Sequence, residues 1–146
     1  SLNENRLGIL VWQTSNLWQS KIRQILKNSD LTFNEYLILE TLYKLIDQQD
    51  NITQQDICKN SSIDRSVVSQ KINGLEEKKL LMRSQPKDKR SYGLSLTNNG
   101  ILLVESLISS VEKQESFIFD KLGSEIFNFT NSLKLILGKK IRIKAK

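Results

Sequence analysis

Histidine is absent from this sequence of 146 residues, and cysteine occurs once, at Cys58. Imidazole supplies many metal ligands and much of the general acid–base chemistry of enzymes. A glycine-rich phosphate-binding loop is missing as well. We therefore expect neither a hydrolase nor a metalloenzyme, and no metal site or cofactor. A single cysteine forms no internal disulfide, which suits a reducing compartment.

Long apolar stretches are also missing. The sequence contains no run of about 18 uncharged apolar residues, so we expect no transmembrane helix. Its first residues lack the basic, apolar and small-residue regions of a signal peptide. These absences predict a cytoplasmic protein without a membrane partner.

Glycine occurs six times and proline once, so the chain has few obligatory breaks and is predicted to be mostly helical. The length is typical of one domain, and there are no internal repeats or flexible linkers. We therefore expect a single domain over residues 1–146.

Apolar residues at helical spacing predict long helices at both ends of the chain. The first covers about 5–28, and two more lie within 97–138, where Thr97 caps the first of the two and Gly123 separates them. These helices have more apolar positions than one core-facing stripe requires, and a second copy of the chain would cover the excess. We predict that they form a homodimer, and the alternative is a larger monomeric core.

Helix-capping residues organise the middle of the chain. Thr32 has capping-box spacing to Glu35 at the start of a second helix. Thr53 is predicted to cap a short helix, and Asp64 to cap a longer one over 64–79. A short helix, a short turn and a longer helix follow each other in the order of a helix-turn-helix.

Two short strands are predicted next, over about 80–85 and 91–96, and they form a hairpin. The predicted fold is therefore mainly α. It consists of a winged helix-turn-helix over about 31–96 with a short β-hairpin wing, N- and C-terminal dimerisation helices, and a basic tail over 139–146.

Positive charge is concentrated in two places. Residues 63–96 carry eight basic and four acidic side chains, and residues 139–146 carry five basic and no acidic ones, in a chain of net charge +6. A polyanionic partner such as nucleic acid would explain this distribution. A solvated surface with a lysine-rich tail would explain it equally well.

The helix over 64–79 has two different faces. Val68, Ile72 and Leu75 lie on one side, and Arg65, Lys71 and Lys78 flank the other. The polar side carries Ser66, Ser69, Gln70, Asn73 and Glu77. Small hydroxyl and amide groups suit a helix that reads base edges in a major groove, with the flanking cations at phosphates. The alternative is a merely polar surface.

The predicted hairpin tip is strongly basic. Arg83, Lys87, Lys89 and Arg90 surround a single acid, Asp88. A minor groove has negative potential that attracts arginine, so this tip could enter one. The alternative is an exposed turn.

Three segments together resemble the multiple-antibiotic-resistance regulator (MarR) family. They are Leu75-Glu76-Glu77-Lys78-Lys79-Leu80-Leu81-Met82-Arg83, Pro86-Lys87-Asp88-Lys89-Arg90-Ser91 and Leu94-Ser95-Leu96-Thr97-Asn98-Asn99-Gly100. Asp88-Lys89-Arg90 is similar to the D-x-R wing motif of the family, and Leu96–Gly100 to its L-T-x-x-G motif.

This resemblance implies a role for several residues. Arg90 would enter the minor groove, Asp88 would brace the wing, and the helix over 64–79 would read the major groove. Thr53 and Gln54 would lie near phosphate. Lys79 departs from the family, which usually has glycine there at the helix end. A lysine in that place implies backbone strain or a different exit from the helix.

Two further features of the sequence each allow two interpretations. Trp12, Trp18, Phe33 and Tyr36 could line a crevice for a small aromatic effector, or could simply belong to the core. Cys58 could pack in the core, as buried free cysteine often does, or could sense oxidants.

The function predicted from these patterns is a sequence-specific regulator of transcription that binds double-stranded DNA. We expect a homodimer on a pseudopalindromic operator, acting as a repressor that an effector releases. The alternative is a winged-helix protein-interaction module without affinity for DNA.

Overall fold

The computed structural model of the chain describes residues 4–84 and 93–143. The elements in chain order are α1 (Leu7–Leu26), α2 (Phe33–Ile46), α3 (Gln54–Ser61), α4 (Arg65–Glu77), β1 (Leu81–Ser84), β2 (Gly93–Leu96), α5 (Asn98–Phe119), a 3₁₀ segment (Asp120–Glu125) and α6 (Ile126–Ile136). The predicted, mainly helical fold with a two-stranded hairpin is confirmed. The chain forms two compact units that divide after Val111.

Capping boxes begin α2 and α3. Thr32 Oγ1 accepts a hydrogen bond from the Glu35 amide at 3.2 Å, and Glu35 Oε1 accepts one from the Thr32 amide at 2.9 Å. Thr53 and Asp56 make the same reciprocal pair at 3.2 and 2.9 Å. Each box satisfies amides that a helix start leaves without partners. The predicted caps at Thr32 and Thr53 are confirmed.

The start of α4 differs from the prediction. Asp64 is the N-cap residue, but its side chain makes no capping hydrogen bond. Its carboxylate instead accepts a hydrogen bond from Ser66 Oγ at 3.1 Å. The predicted capping interaction was therefore wrong, although the position was right.

Buried aliphatic side chains from α2, α3, α4 and the hairpin form the core of the first unit. Val68, Ile72 and Leu75 are fully buried, as their spacing on α4 predicts. They pack in one cluster with Leu39 and Leu42 of α2. Burying each such side chain contributes about 1.5–3 kcal/mol, so this contact fixes the position of α4.

The hairpin is an antiparallel pair in which Leu81 lies opposite Leu96. The Leu94 amide donates to the Ile52 carbonyl at 2.8 Å, which ties β2 to the segment before α3. Gly100 is needed just after the hairpin, since a Cβ there would lie 2.1 Å from the Leu80 carbonyl oxygen. Thr97 Oγ1 accepts from the Gly100 amide at 3.0 Å, so the predicted cap at Thr97 is confirmed.

Lys79 follows α4 with a φ of 60°. The Lys79 amide donates to Glu76 O and the Leu80 amide to Leu75 O, both at 3.0 Å. These two bonds form a Schellman motif, which requires the left-handed conformation that glycine adopts most readily. Of the two alternatives for Lys79, the structure has the strained one.

The second unit contains the end of α5, the 3₁₀ segment and α6. Gly123 has φ 56° and ψ −126°, which interrupts the helical path where the sequence predicts a break. Asn131 on α6 holds the backbone of Arg142 through two hydrogen bonds of 2.8 and 3.0 Å. Within the described residues, no helix has the length and apolar character needed to cross a membrane.

Candidate nucleic-acid interface

The polar face predicted for α4 is exposed. Opposite the buried face it consists of the predicted side chains of Ser66, Ser69, Gln70, Asn73 and Glu77, and the flanking Arg65 is exposed as well. With 13 residues, α4 is about 20 Å long, which is enough to lie along a major groove. Its buried face packs against the core, so the polar face is held on a rigid support.

The residues of this face differ in whether their side chains already bind other groups of the protein. The side chains of Arg65, Ser69 and Gln70 have no hydrogen bond or ion pair within the parts of the chain that the structure describes. Ser66 donates to Asp64. Asn73 Oδ1 accepts a hydrogen bond of 2.7 Å from Arg83 on β1.

Arg83 is a residue whose role the sequence analysis missed, because it was assigned to the charge of the wing. Its Nη1 lies 2.9 Å from Glu76 Oε1, and its Nη2 reaches Asn73. The opposite charges of Glu76 and Arg83 were a visible signal. Their contact depends on how β1 packs against α4, which the sequence pattern does not give.

Lys78, predicted on the flank of the polar face beside phosphate, has partners within the protein. Its ammonium lies 3.1 Å from Glu35 Oε1 and also donates to the carbonyl oxygen of Asp30. Glu35 is only 4% exposed. Lys78 therefore neutralises a buried carboxylate at the start of α2.

Thr53 and Gln54 lie at the start of α3, and both are half-buried. Thr53 Oγ1 also donates to the Asp56 carboxylate at 3.0 Å. The backbone hydrogen bond from Thr53 is the main cause that lowers the pKa of Asp56. The hydroxyl of Thr53 is thus already used in the cap, and Gln54 is the first residue of α3.

The predicted wing-tip contacts, Lys87, Asp88, Lys89 and Arg90, lie outside the described residues. The two strands that lead to them are described, and β1 is joined to α4 by the bonds of Arg83.

The four aromatic residues proposed for an effector crevice do not all meet. Trp18 and Phe33 pack edge to face with centroids 5.3 Å apart. Tyr36 is fully buried in the same cluster, and its hydroxyl donates to Glu40 at 2.7 Å. Trp12 is 63% exposed and is not part of this group.

A cavity of about 690 Å³ lies between the C-terminal end of α1, the start of α2 and α4. Of the four aromatic residues, only Phe33 lines it. Its charged lining consists of Arg23, Lys27, Lys71, Lys78, Asp30 and Glu35. The Arg23 guanidinium lies 5.5 Å from the centre of the Phe33 ring, a cation–π distance. The lining is therefore rich in cations, with one aromatic wall.

Cys58 is half-buried on α3 and packs against the main core cluster. This placement agrees with the packing role that the sequence analysis weighed against thiol sensing.

Comparison with known proteins identifies the family. The MarR family model matches residues 29–91. YdcH of Bacillus subtilis, an HTH-type transcriptional regulator, is 32% identical over 132 residues, which are 89% of this chain and 88% of YdcH.

Solved structures agree with this assignment. The structure of S. aureus MepR in complex with DNA matches with a TM-score of 0.82 and 30% identity, over 92% of this chain and 98% of that one. BpsR of Bordetella bronchiseptica, whose DNA binding 6-hydroxynicotinic acid regulates, matches with a TM-score of 0.79 and 23% identity, over 96% and 97% of the two chains. The latter likeness shows the fold alone. From the family model and the identity to YdcH, this chain belongs to the MarR family of winged-helix transcriptional regulators.

Proposed function

We propose that this chain is a dimeric transcriptional regulator that binds specific double-stranded DNA with α4 in the major groove. The observation that carries the proposal is the exposed polar face of α4, which is neutral at Ser66, Ser69, Gln70 and Asn73. Fully buried Val68, Ile72 and Leu75 support it from behind. The 30% identity to MepR, whose structure contains DNA, supports the same function.

The chemistry of the polar face fits base recognition. Gln70 can pair with both N6 and N7 of adenine, and Ser69 can bond to several base edges. Arg65 stands at the first turn of α4, where a cation can contact the phosphate backbone. These three side chains have no competing partner in the described parts of the chain.

The wing completes the proposed contact. Only three residues separate the end of α4 from the start of β1, so the hairpin begins beside the polar face. Lys87, Lys89 and Arg90 would then lie over the backbone and the adjacent minor groove, with Asp88 bracing the turn. Thr53 and Gln54 at the start of α3 would lie near phosphate.

A second copy of the chain is proposed to cover exposed apolar surface. On α1, Leu7, Val11 and Trp12 are more than half exposed, and on or just after α6 the same is true of Leu135, Ile136 and Leu137. Large apolar surface of this kind marks interaction sites. A twofold dimer would pair two recognition helices on a pseudopalindrome, with half-sites about 34 Å apart.

We further propose that the protein represses transcription and that a small effector releases it. The 690 Å³ cavity has a suitable volume for a small molecule. Two of its lining residues, Lys71 and Lys78, belong to or directly follow α4. An aromatic effector that stacks on Phe33 and contacts these lysines could therefore shift α4.

Selection of bound fragments from a random DNA library tests the proposal. We expect a pseudopalindromic consensus, and we expect Gln70→Ala to weaken consensus binding by about 1–3 kcal/mol while non-specific binding changes little. Gln24→Ala, an exposed glutamine on α1, is the matched control and should have no effect. If the folded protein enriches no sequence, the alternative of a protein-interaction module without DNA affinity is favoured.

A further inference from the structure

Arg83 joins the wing to the recognition helix. On β1, Leu81 and Arg83 point to the same side, because side chains alternate along a strand. Leu81 is buried, so this side of the hairpin faces the helix-turn-helix core. From there the guanidinium reaches both Asn73 and Glu76 on α4, at 2.7 and 2.9 Å.

The bond to Asn73 has a defined polarity. A guanidinium carries only donors, so the carbonyl oxygen of the Asn73 amide, and not its NH₂ group, must face Arg83. A charge-assisted bond of this kind is stronger than a neutral one. Arg83 thus occupies one lone pair of the oxygen and leaves the NH₂ group of Asn73 directed towards another partner.

The orientation of the Asn73 amide determines which bases it can recognise. An asparagine with both groups free pairs with adenine by accepting from N6 and donating to N7. When an arginine occupies one of the two lone pairs of the oxygen, its positive charge opposes the approach of a second donor there, so the amide recognises bases chiefly through its NH₂ group. Guanine presents two acceptors, O6 and N7, whereas adenine would place its own N6 donors against the amide NH₂.

We propose that Arg83 is a positioning residue that holds Asn73 Oδ1 and thereby makes Asn73 select guanine over adenine in the major groove. The inference rests on the proposed function. It makes Arg83 a determinant of specificity that itself touches no base.

The contacts of Arg83 argue against the simpler role of a phosphate ligand. Its side chain is only 24% exposed, and its charge is already paired with Glu76. A cation that binds phosphate releases counterions and steepens the salt dependence of affinity, whereas a residue bound within the protein does not. Salt dependence therefore separates the two roles.

The test uses the full chain and an operator selected by the wild-type protein. The base pair read by Asn73 is located as the position where Asn73→Ala loses discrimination. Arg83→Met keeps much of the side-chain volume and removes the donors. We expect it to shift the preference at this base pair from guanine towards adenine by about fivefold to tenfold in relative affinity. The slope of log affinity against log salt should not change.

Two further variants test the ion pair of Arg83 and the NH₂ group of Asn73 separately. Glu76→Gln removes the ion pair of Arg83 but leaves its bond to Asn73, so the preference for guanine should persist. Asn73→Asp keeps the bond to Arg83 and replaces the free donor with an acceptor, so the preference should move to cytosine, whose N4 amine donates. Thermal unfolding of each variant verifies that it is folded.

The possible results distinguish a failure of the role inferred for Arg83 from a failure of the proposed DNA binding. A salt slope that becomes shallower by roughly 2 in the Arg83→Met dimer, with base preference intact, would make Arg83 a phosphate contact and overturn the inference. Unchanged preference and unchanged slope would also overturn it. If the wild-type protein selects no DNA, the proposed function fails first, and this inference fails with it.

Discussion

The ammonium of Lys78, which follows α4, lies 3.1 Å from the carboxylate of Glu35 in the first turn of α2. The two residues are 43 positions apart in the chain. Glu35 is almost fully buried, and its other bond closes the capping box at Thr32. One carboxylate thus holds the start of α2 and the end of α4 together.

Removing Lys78 should destabilise the protein. Lys78→Met leaves a buried charge with one partner fewer, and we expect a loss of about 1–3 kcal/mol in the free energy of unfolding. Lys44→Met is the matched control, because the Lys44–Glu40 pair is 3.6 Å apart and Lys44 is 56% exposed. This exposed helical pair should contribute about 0.5 kcal/mol or less.

A double variant tests the mechanism of that loss. Glu35→Gln keeps the shape of the capping residue and removes its charge, so the pair Glu35→Gln with Lys78→Met should recover part of the stability. Denaturant unfolding of the four proteins measures the coupling. Strictly additive losses would show that Lys78 acts on stability through something other than Glu35.

Gly100 should tolerate no side chain. A Cβ there would meet the backbone carbonyl oxygen of Leu80 at 2.1 Å, and a backbone atom cannot move aside as a flexible side chain can. We expect Gly100→Ala to cost about 3 kcal/mol or more, through forced displacement of α5 from the hairpin. Gly8→Ala is the control: nothing lies within 4 Å of its Cβ, and alanine in a helix should add about 0.5–1 kcal/mol. Equal effects of the two substitutions in thermal unfolding would contradict this account.

At Lys79, unlike at Gly100, we expect a substitution to stabilise the protein. A non-glycine residue in the left-handed region costs about 1–2 kcal/mol, part of which is offset because glycine loses more entropy on folding. Lys79→Gly should therefore raise the free energy of unfolding by about 0.5–1 kcal/mol, or Tm by roughly 2–3 °C. Lys71→Gly within α4, where glycine is unfavourable, should lower stability by about 1 kcal/mol. A fall in stability on Lys79→Gly would mean that the lysine side chain contributes more than the strain costs.

The sequence predicted some of these contacts and missed others, and the difference has a physical reason. The caps at Thr32 and Thr53 and the buried face of α4 were predicted correctly, because each depends on residues within one or two helical turns. The contacts of Lys78 with Glu35 and of Arg83 with Asn73 were not. They depend on how α2 and β1 pack against α4, which is set by the whole core. Local rules also failed at Asp64, where Ser66 takes the carboxylate that was expected to cap α4.

The last prediction concerns the wing, whose proposed contact with DNA is made by Arg90 and not by α4. Arg90 is proposed to enter a minor groove, since a guanidinium is planar and weakly hydrated. Arg90→Ala should make the slope of log affinity against log salt shallower by roughly 2 for a dimer. Arg90→Lys, the matched control, keeps the charge and should keep most of the slope while losing affinity. We expect each substitution to change stability by no more than about 0.5 kcal/mol, and thermal unfolding of each variant checks that a loss of binding does not reflect unfolding. If Arg90→Ala stays folded and binds its operator with unchanged affinity and slope, the wing is not a DNA contact, and recognition would depend on α4 alone.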